Sequence, residues 1–254
     1  MKNLVLGSLL LAALASQTTG CIITSDDDDG GGDFATINAE WSFHTVNPQG
    51  QLSPPNSCPS GFATVALHNQ EVDPVTGRDV GSPFVDLFDC AAMRDFTDVL
   101  PPGVYETSLS VTNDTGSQVY ADSISQITDV TVDDKTFQTE IIDNGGYFKF
   151  GWDLRDKPSN AAITCNDLLA SDGVGVTSTL TSNSAIFVGD DYDCVDGEIF
   201  YVFTDPLAKG SYNVAIQPIN SAGQSIGDTT LLSNKAIGDR NAVTDLGVVT
   251  LNVD

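Results

Sequence analysis

An internal repeat constrains the fold of this chain more than any other feature. Residues 96–105 align with residues 203–212 at a constant offset of 107, and six of the ten positions are identical. A turn pattern, Asn-x-x-Gly, recurs at the same offset at 113–116 and 220–223. The repeat predicts a duplicated unit with a boundary near Asn144. The expected domains are 34–144 and 146–254, after a leader at 1–20 and a tether at 21–33.

Each copy has the residue pattern of β-structure. Larger apolar side chains alternate along 105–111 and 212–217, as on a strand with one buried face. Both runs follow a Gly turn and end in Asn-x-x-Gly, which is hairpin chemistry. Six or seven short strands per copy predict an all-β fold of two tandem sandwiches. The other candidate strands are 35–46, 61–69, 83–89, 117–132 and 136–142, then 147–155, 173–181, 184–189, 198–204, 224–233 and 243–253.

The chain has five cysteines: Cys21, Cys58, Cys90, Cys165 and Cys194. The last four allow three pairings, and the duplication favours the two within the copies, Cys58–Cys90 and Cys165–Cys194. Each bond would close a loop of about 30 residues and stabilise the fold by about 3–4 kcal/mol. Because no C-x₂-C spacing occurs, a zinc site is disfavoured.

The N-terminus has the pattern of an export signal. After Met1-Lys2-Asn3 comes an apolar run from Leu4 to Ala15, which is shorter than the ~20 residues of a transmembrane helix. The segment that ends in Gly20-Cys21 resembles the lipobox of bacterial lipoproteins, with Thr18 where that motif has Leu. We therefore expect lipidation at Cys21, which also explains the odd cysteine. The alternative is ordinary cleavage after Ala15, which leaves a plain thiol.

Charge excludes several classes of partner. The chain has 10 Lys+Arg against 35 Asp+Glu, a formal charge of −25. Nucleic acid and anionic lipid surfaces are bound through Lys and Arg, so neither is an expected partner. The stretch 25–33, rich in Asp and Gly, is typical of a flexible tether between an anchor and a folded body. It also resembles surface-export signals that follow the lipidated Cys, which leaves the surface and periplasmic sides open.

The combined pattern resembles a known class of module. A Trp precedes each cysteine pair, with Trp41-Ser42-Phe43 corresponding to Trp152-Asp153-Leu154, and L-x-x-G-x-Y opens a long strand at 100–105 and 207–212. This resembles the immunoglobulin-like and carboxypeptidase-regulatory-like β-sandwich domains of bacterial lipoproteins, including those of myxobacteria. The resemblance covers both copies. It implies an exported sandwich protein attached to the outer membrane by a lipid.

The sequence offers few candidates for chemistry. His44 and His68, both in the first copy, are expected to be structural or solvent-facing, and no motif of a known catalytic site occurs. The acidic run 190–198 has the composition of a calcium loop without its ligand spacing. Asp98 and Asp205, which recur in the two copies, are expected to accept backbone N–H groups and fix a turn.

We therefore expect a cell-envelope lipoprotein, not an enzyme, with a structural or adhesin-like binding role. Its expected partners are the membrane, through Cys21, and envelope proteins or polysaccharide. No cofactor is expected, except for weak calcium binding at 190–198. The alternative is a calcium-dependent carbohydrate-binding or hydrolytic surface protein that uses loop residues on a rigid scaffold.

Overall fold

A computed structural model describes residues 34–169, 172–194 and 201–254. These residues are nearly all in strands and loops, with two short 3₁₀ helices, so the predicted all-β class is confirmed. The predicted signal peptide (1–20), the lipidation site Cys21 and the tether (21–33) lie outside the described residues. Among the residues described, no helix is long and apolar enough to cross a membrane.

The first copy contains eight strands and a 3₁₀ helix, Cys90–Ala92. In chain order the strands are β1 (Ile37–His44), β2 (Thr64–Glu71), β3 (Phe84–Asp89), β4 (Arg94–Phe96), β5 (Val104–Thr112), β6 (Val119–Asp122), β7 (Gln126–Asp129) and β8 (Lys135–Ile142). One sheet has the order β4-β1-β8, with β1 and β8 parallel. The other has the order β3-β2-β5, and β6 and β7 both pair with β5.

The described part of the second copy contains nine strands and a 3₁₀ helix, Cys165–Asp167. The strands are β9 (Gly145–Asp156), β10 (Ala162–Ile163), β11 (Gly173–Leu180), β12 (Phe187–Asp193), β13 (Val202–Phe203), β14 (Leu207–Ala208), β15 (Gly210–Ile219), β16 (Thr230–Ile237) and β17 (Ala242–Val253). In one sheet β9 pairs with β10, β13, β14 and β17. The other has the order β12-β11-β15-β16.

The two copies share one topology. In each, the Trp-bearing strand (β1 or β9) pairs antiparallel with a short strand (β4 or β13) and parallel with the last strand (β8 or β17). In the other sheet of each copy, a central strand (β2 or β11) pairs on one side with the strand that follows it in the chain (β3 or β12). On its other side it pairs with the Tyr-bearing strand (β5 or β15). The sequence repeat is therefore a repeat of a complete two-sheet unit.

Each copy buries its own apolar core between its two sheets. In the first, Trp41 and Phe43 of β1 face Val65, Leu67 and Leu109 of the opposite sheet, as the period-2 alternation predicts. The second copy forms a separate cluster of buried side chains. Its members include Phe148, Phe150, Val174, Val214 and Leu251.

The L-x-x-G-x-Y motif forms a corner that closes each core. The Tyr105 hydroxyl donates to the carbonyl of Pro101 at 2.8 Å, and the Tyr212 hydroxyl donates to that of Ala208 at 2.7 Å. Both rings are buried. A Cβ on the intervening Gly103 would lie 3.3 Å from the Tyr105 ring, so the glycine gives the ring room to fold back over the turn. In both copies the motif therefore serves to fix the conformation of the turn before the Tyr-bearing strand.

Two disulfide bonds join the expected partners, Cys58–Cys90 and Cys165–Cys194. The sequence separations are 32 and 29 residues. In both copies the second cysteine follows an edge strand, β3 or β12. Each bond therefore fixes the segment that precedes β2 or β11 to that edge strand.

At the junction of the two copies, the backbone at the start of β9 passes close to the backbones of Leu207 and Ala242. A Cβ on Gly145 would lie 2.1 Å from the carbonyl oxygen of Leu207, and one on Gly146 would lie 1.9 Å from that of Ala242. Only glycine therefore fits here, where β9 leaves the first copy. The side chain of Asn144 closes the junction, since its amide oxygen accepts from the N–H of Val46 at 2.8 Å and its amide nitrogen donates to the Val46 carbonyl at 3.0 Å.

Several strand bounds differ from the prediction. The single strand expected at 117–132 is two strands, β6 and β7, because the chain turns at Ser123, whose hydroxyl accepts the N–H of Leu109 at 2.9 Å. The strand expected at 224–233 begins only at Thr230, since 225–227 form a turn held by side-chain hydrogen bonds. The strand expected at 184–189 runs from Phe187 to Asp193. The short strands β4, β10 and β14 were not predicted.

Candidate functional site

The two histidines occupy different environments. His44 is buried at the end of β1, where Nδ1 lies 2.8 Å from the Ser53 carbonyl and Nε2 lies 2.9 Å from the Ser42 hydroxyl. Because a carbonyl only accepts, Nδ1 carries a proton and donates it to the Ser53 carbonyl. His68 is half-buried on β2, opposite Ser108 of β5. His44 therefore anchors the segment that contains Ser53 over the end of β1.

Carboxyl pairs occupy equivalent positions in the two copies. The backbone N–H of Asp98 donates to Oδ1 of Asp86 at 3.2 Å, and the backbone N–H of Asp205 donates to Oδ1 of Asp190 at 3.3 Å. We predicted that the side chains of Asp98 and Asp205 accept backbone N–H groups; here their own N–H groups are the donors. Each pair ties an edge strand of one sheet, β3 or β12, to the segment after β4 or β13 in the other.

The pair in the second copy has the stronger electrostatic coupling. Burial, and then the nearby Asp205 carboxylate, raise the pKa of Asp190 to about 7. Burial also raises the pKa of Tyr192, whose hydroxyl donates to the Phe203 carbonyl at 2.9 Å. In the first copy, burial is the main cause that raises the pKa of Asp86. Because both copies repeat the arrangement, it is a feature of how the sheets are joined.

The acidic run 190–198 is not a loop over its described part. Asp190 to Asp193 belong to strand β12, so their side chains point alternately to its two faces. Residues 195–200 lie outside the described residues. Within the described ranges, no group of three or more His, Cys, Asp or Glu side chains is placed to hold a metal ion.

A polar groove lies on the outer surface of the β4-β1-β8 sheet. It has a volume of about 680 Å³ and is lined by residues of all three strands and by the turn at Ala92 and Met93. We call the solvent-facing side chains of this sheet the polar face. They are Asn38, Glu40 and Ser42 on β1, Arg94 and Phe96 on β4, and Thr136, Gln138 and Glu140 on β8.

Strand register places these side chains in rows across the sheet. Glu40 lies opposite Arg94 on one side and Gln138 on the other, and Ser42 lies opposite Glu140. The Glu40 carboxylate accepts from the Gln138 amide at 2.7 Å and from the Asn38 amide at 3.2 Å. Glu40 is therefore held in one orientation at the centre of the groove.

The second copy does not repeat the polar face. Where the first copy has Glu40 and Ser42 beside Trp41, the second has Gly151 and Asp153 beside Trp152. The carboxylate of Asp153 is occupied by Arg155 of the same strand, in an ion pair of 2.7 Å. The interior of the unit is thus repeated, whereas its outer face is specific to each copy.

The sequence pattern does not predict this groove. The polar residues alternate on 38–42 and 138–140, a pattern that indicates a solvent-facing side of a strand. Nothing in that alternation shows that β1 and β8, which pair across 98 residues, lie side by side. Parallel pairing over such a separation leaves no local signal in the sequence.

No protein-family model matches the chain, and no curated protein sequence matches it. Several solved structures are similar to this chain, at low identity and low TM-score. A leucine-rich repeat protein from Bacteroides thetaiotaomicron is 14% identical over 85% of this chain, with a TM-score of 0.33, and the match spans 27% of that protein. The minor pilin of Streptococcus agalactiae is 10% identical over 87% of this chain and 97% of its own, with a TM-score of 0.31. The fimbrial anchor protein of Porphyromonas gingivalis is 8% identical over 78% of this chain and 82% of its own, with a TM-score of 0.28.

Proposed function

We propose that this protein is an exported cell-envelope lipoprotein, of the kind found in myxobacteria, with a non-catalytic role in adhesion or recognition. The observation that supports it most directly is the disulfide bond at equivalent positions in both copies, Cys58–Cys90 and Cys165–Cys194. Such bonds form and persist in oxidising compartments outside the cytoplasm. Lipidation at Cys21 then attaches the chain to the outer membrane.

The distribution of shared and unshared residues supports a recognition role. Residues common to the copies serve packing: Tyr105 and Tyr212 close the cores, and the carboxyl pairs join the sheets. On the outer face of the Trp-bearing strands the copies differ, with Glu40 and Ser42 in the first and Gly151 and Asp153 in the second, and a partner binds such a face. We propose two domains, 34–144 and 146–254, that hold these faces away from the membrane on the acidic tether.

Metabolic labelling with a tagged fatty acid tests the anchor. The wild-type protein incorporates the label, and Cys21→Ser abolishes it, because the thiol is the attachment site. The matched control is the double variant Cys58→Ser/Cys90→Ser, which keeps the label since those sulfurs form a disulfide. Label in Cys21→Ser, or none in the wild type, contradicts the lipoprotein proposal.

The side of the membrane is tested separately. We propose that the run Asp26–Asp29 directs the protein to the cell surface. Protease added to intact cells then removes the wild-type protein but spares a variant with four Ser in place of this run. Equal protection of both proteins in intact cells, with digestion of both after lysis, contradicts a surface location and places the protein in the periplasm.

A further inference from the structure

The polar face has unused hydrogen-bonding capacity in a fixed geometry. Each oxygen of the Glu40 carboxylate accepts one hydrogen bond, from Asn38 or from Gln138, whereas a carboxylate oxygen has two lone pairs. Glu140 and Gln138 are solvent-exposed beside it. Arg94 forms no ion pair with any residue that the structure describes. Glu40 and Gln138 are therefore already positioned before a ligand arrives, which lowers the entropic cost of binding.

The charge balance of the groove disfavours anionic ligands. Two carboxylates, Glu40 and Glu140, line it with one guanidinium, that of Arg94. A phosphate or a uronic acid therefore meets a net negative charge. A neutral ligand that both donates and accepts hydrogen bonds matches this set best, as the hydroxyl groups of a sugar do.

An exposed aromatic ring lies on the same face of the sheet, beside the groove. Phe96 lies opposite Asn38, one row along from the Arg94–Glu40 row, and is 62% exposed. An aromatic face in water provides apolar surface for the C–H face of a sugar ring. The volume of about 680 Å³ falls within the range of roughly 300–1,000 Å³ typical of small-molecule sites, so it holds a short stretch of glycan.

We propose that the polar face is a binding site for a neutral glycan. Glu40, Gln138 and Arg94 hold sugar hydroxyl groups, Glu140 contacts the next ring along β8, and Phe96 carries the apolar face of a ring. This proposal rests on the recognition role proposed above and gives it a ligand class. It assigns the site to the first copy alone, because Gly151 stands where Glu40 would be in the second.

The test measures binding of full-length protein, in a detergent without a sugar headgroup, to defined oligosaccharides. The probes are hexasaccharides of β-1,4-glucose, β-1,4-mannose, β-1,3-glucose and β-1,4-xylose, with polygalacturonate and polylysine as charged comparisons. We expect at least one neutral probe to bind with a Kd of about 0.1–1 mM, the range of a shallow open site. Its binding changes little between low and high salt, because no net charge is neutralised.

Matched variants locate the site. Phe96→Ala and Arg94→Ala each weaken binding about tenfold, the effect of losing one well-placed contact. The control for the first is Phe187→Ala on β12, whose ring is 60% exposed in the second copy. The control for the second is Arg78→Ala, an exposed arginine in the turn after β2. Neither control alters binding.

Three results overturn the inference. One is the absence of binding to every neutral probe. Another is equal weakening by Phe187→Ala and Phe96→Ala, which removes the site from the polar face. The third is salt-sensitive binding of polylysine or polygalacturonate without any neutral probe, which makes the groove a site for a charged polymer. Because fatty-acid labelling and protease accessibility are measured independently, loss of glycan binding leaves the proposed location intact.

Discussion

Asn241, in the second copy, accepts a hydrogen bond of 2.9 Å from the backbone N–H of Ile142, in the first. Its amide nitrogen donates to the carbonyl of Asp122 at 2.8 Å. The side chain is buried and its backbone has a φ of +59°, which few residues other than glycine adopt. One side chain therefore satisfies two backbone groups of the other copy while its own backbone bears strain.

Asn241→Ala is expected to lower the free energy of unfolding by about 3–5 kcal/mol. The change leaves the N–H of Ile142 and the carbonyl of Asp122 unpaired, at a cost of about 1–3 kcal/mol for each. It also places alanine in the left-handed region, where its Cβ is strained and no polar side chain compensates. Asn241→Gly is the informative comparison. It loses the same hydrogen bonds without the steric strain, so it should be about 1 kcal/mol more stable than the alanine variant. Denaturant unfolding measures both, and equal stability of the two variants would show that backbone strain contributes nothing.

Tyr105→Phe and Tyr212→Phe test whether the copies unfold as separate units. Each change deletes one hydroxyl that donates to a carbonyl four residues earlier, at a cost of about 1 kcal/mol. If 34–144 and 146–254 are independent domains, calorimetry shows two transitions, and each variant lowers only its own. Tyr201→Phe is the control for an exposed ring and leaves both transitions in place. A single transition lowered equally by Tyr105→Phe and Tyr212→Phe contradicts independent domains.

The long core strands could be predicted from the sequence because the repeated segments contain them. Tyr105 and Tyr212 stand in identical motifs, and their alternation with neighbouring apolar residues assigned the long strands. The short strands β4 and β14 left no such signal, since two or three residues show no periodicity. The turn at Ser123 was missed for a different reason: a side-chain hydroxyl takes the place of a backbone acceptor there, and that depends on the neighbouring strand.

The site was not predictable in the same way. Glu40 and Gln138 meet only because the last strand of the first copy pairs parallel with the first strand. Asp190 was assigned to an acidic loop because four carboxylates in seven residues have little strand propensity. Its place in β12 follows from pairing with β11 and from the hydrogen bond that it accepts from the Asp205 backbone, which are tertiary effects. A sequence pattern shows which side chains of a strand face solvent. It does not show which strands lie side by side, and that pairing forms the groove.

Removal of either disulfide should destabilise its copy by a similar amount. The loops closed by Cys58–Cys90 and Cys165–Cys194 span 32 and 29 residues, so loop-closure entropy predicts about 3–4 kcal/mol for each. Double Cys→Ala variants avoid free thiols, and guanidinium titration measures the loss. Cys21→Ala is the control and leaves the midpoint unchanged. A loss confined to one copy would show that the other bond constrains a segment already ordered in the unfolded chain.

The carboxyl pair Asp190–Asp205 makes stability depend on pH. An aspartate in an unfolded chain has a pKa near 4, whereas burial and Asp205 raise the pKa of Asp190 to about 7 in the fold. Between these values the folded protein binds more protons than the unfolded chain does. Stability is therefore highest at the acidic end of this window for this group and falls as pH rises through it. The loss is about 1–2 kcal/mol, reduced from the full shift because Asp190 is partly exposed to solvent.

Asp190→Asn isolates this contribution. The amide cannot ionise, so the variant loses the decline in stability between about pH 4 and pH 7 that the wild type shows from this group. Asp193→Asn, an exposed carboxylate of the same strand, is the matched control and keeps the wild-type slope. Thermal melting at several pH values, at constant ionic strength, measures the difference. A parallel decline in wild type and Asp190→Asn would contradict this assignment and place the proton uptake on another carboxyl group.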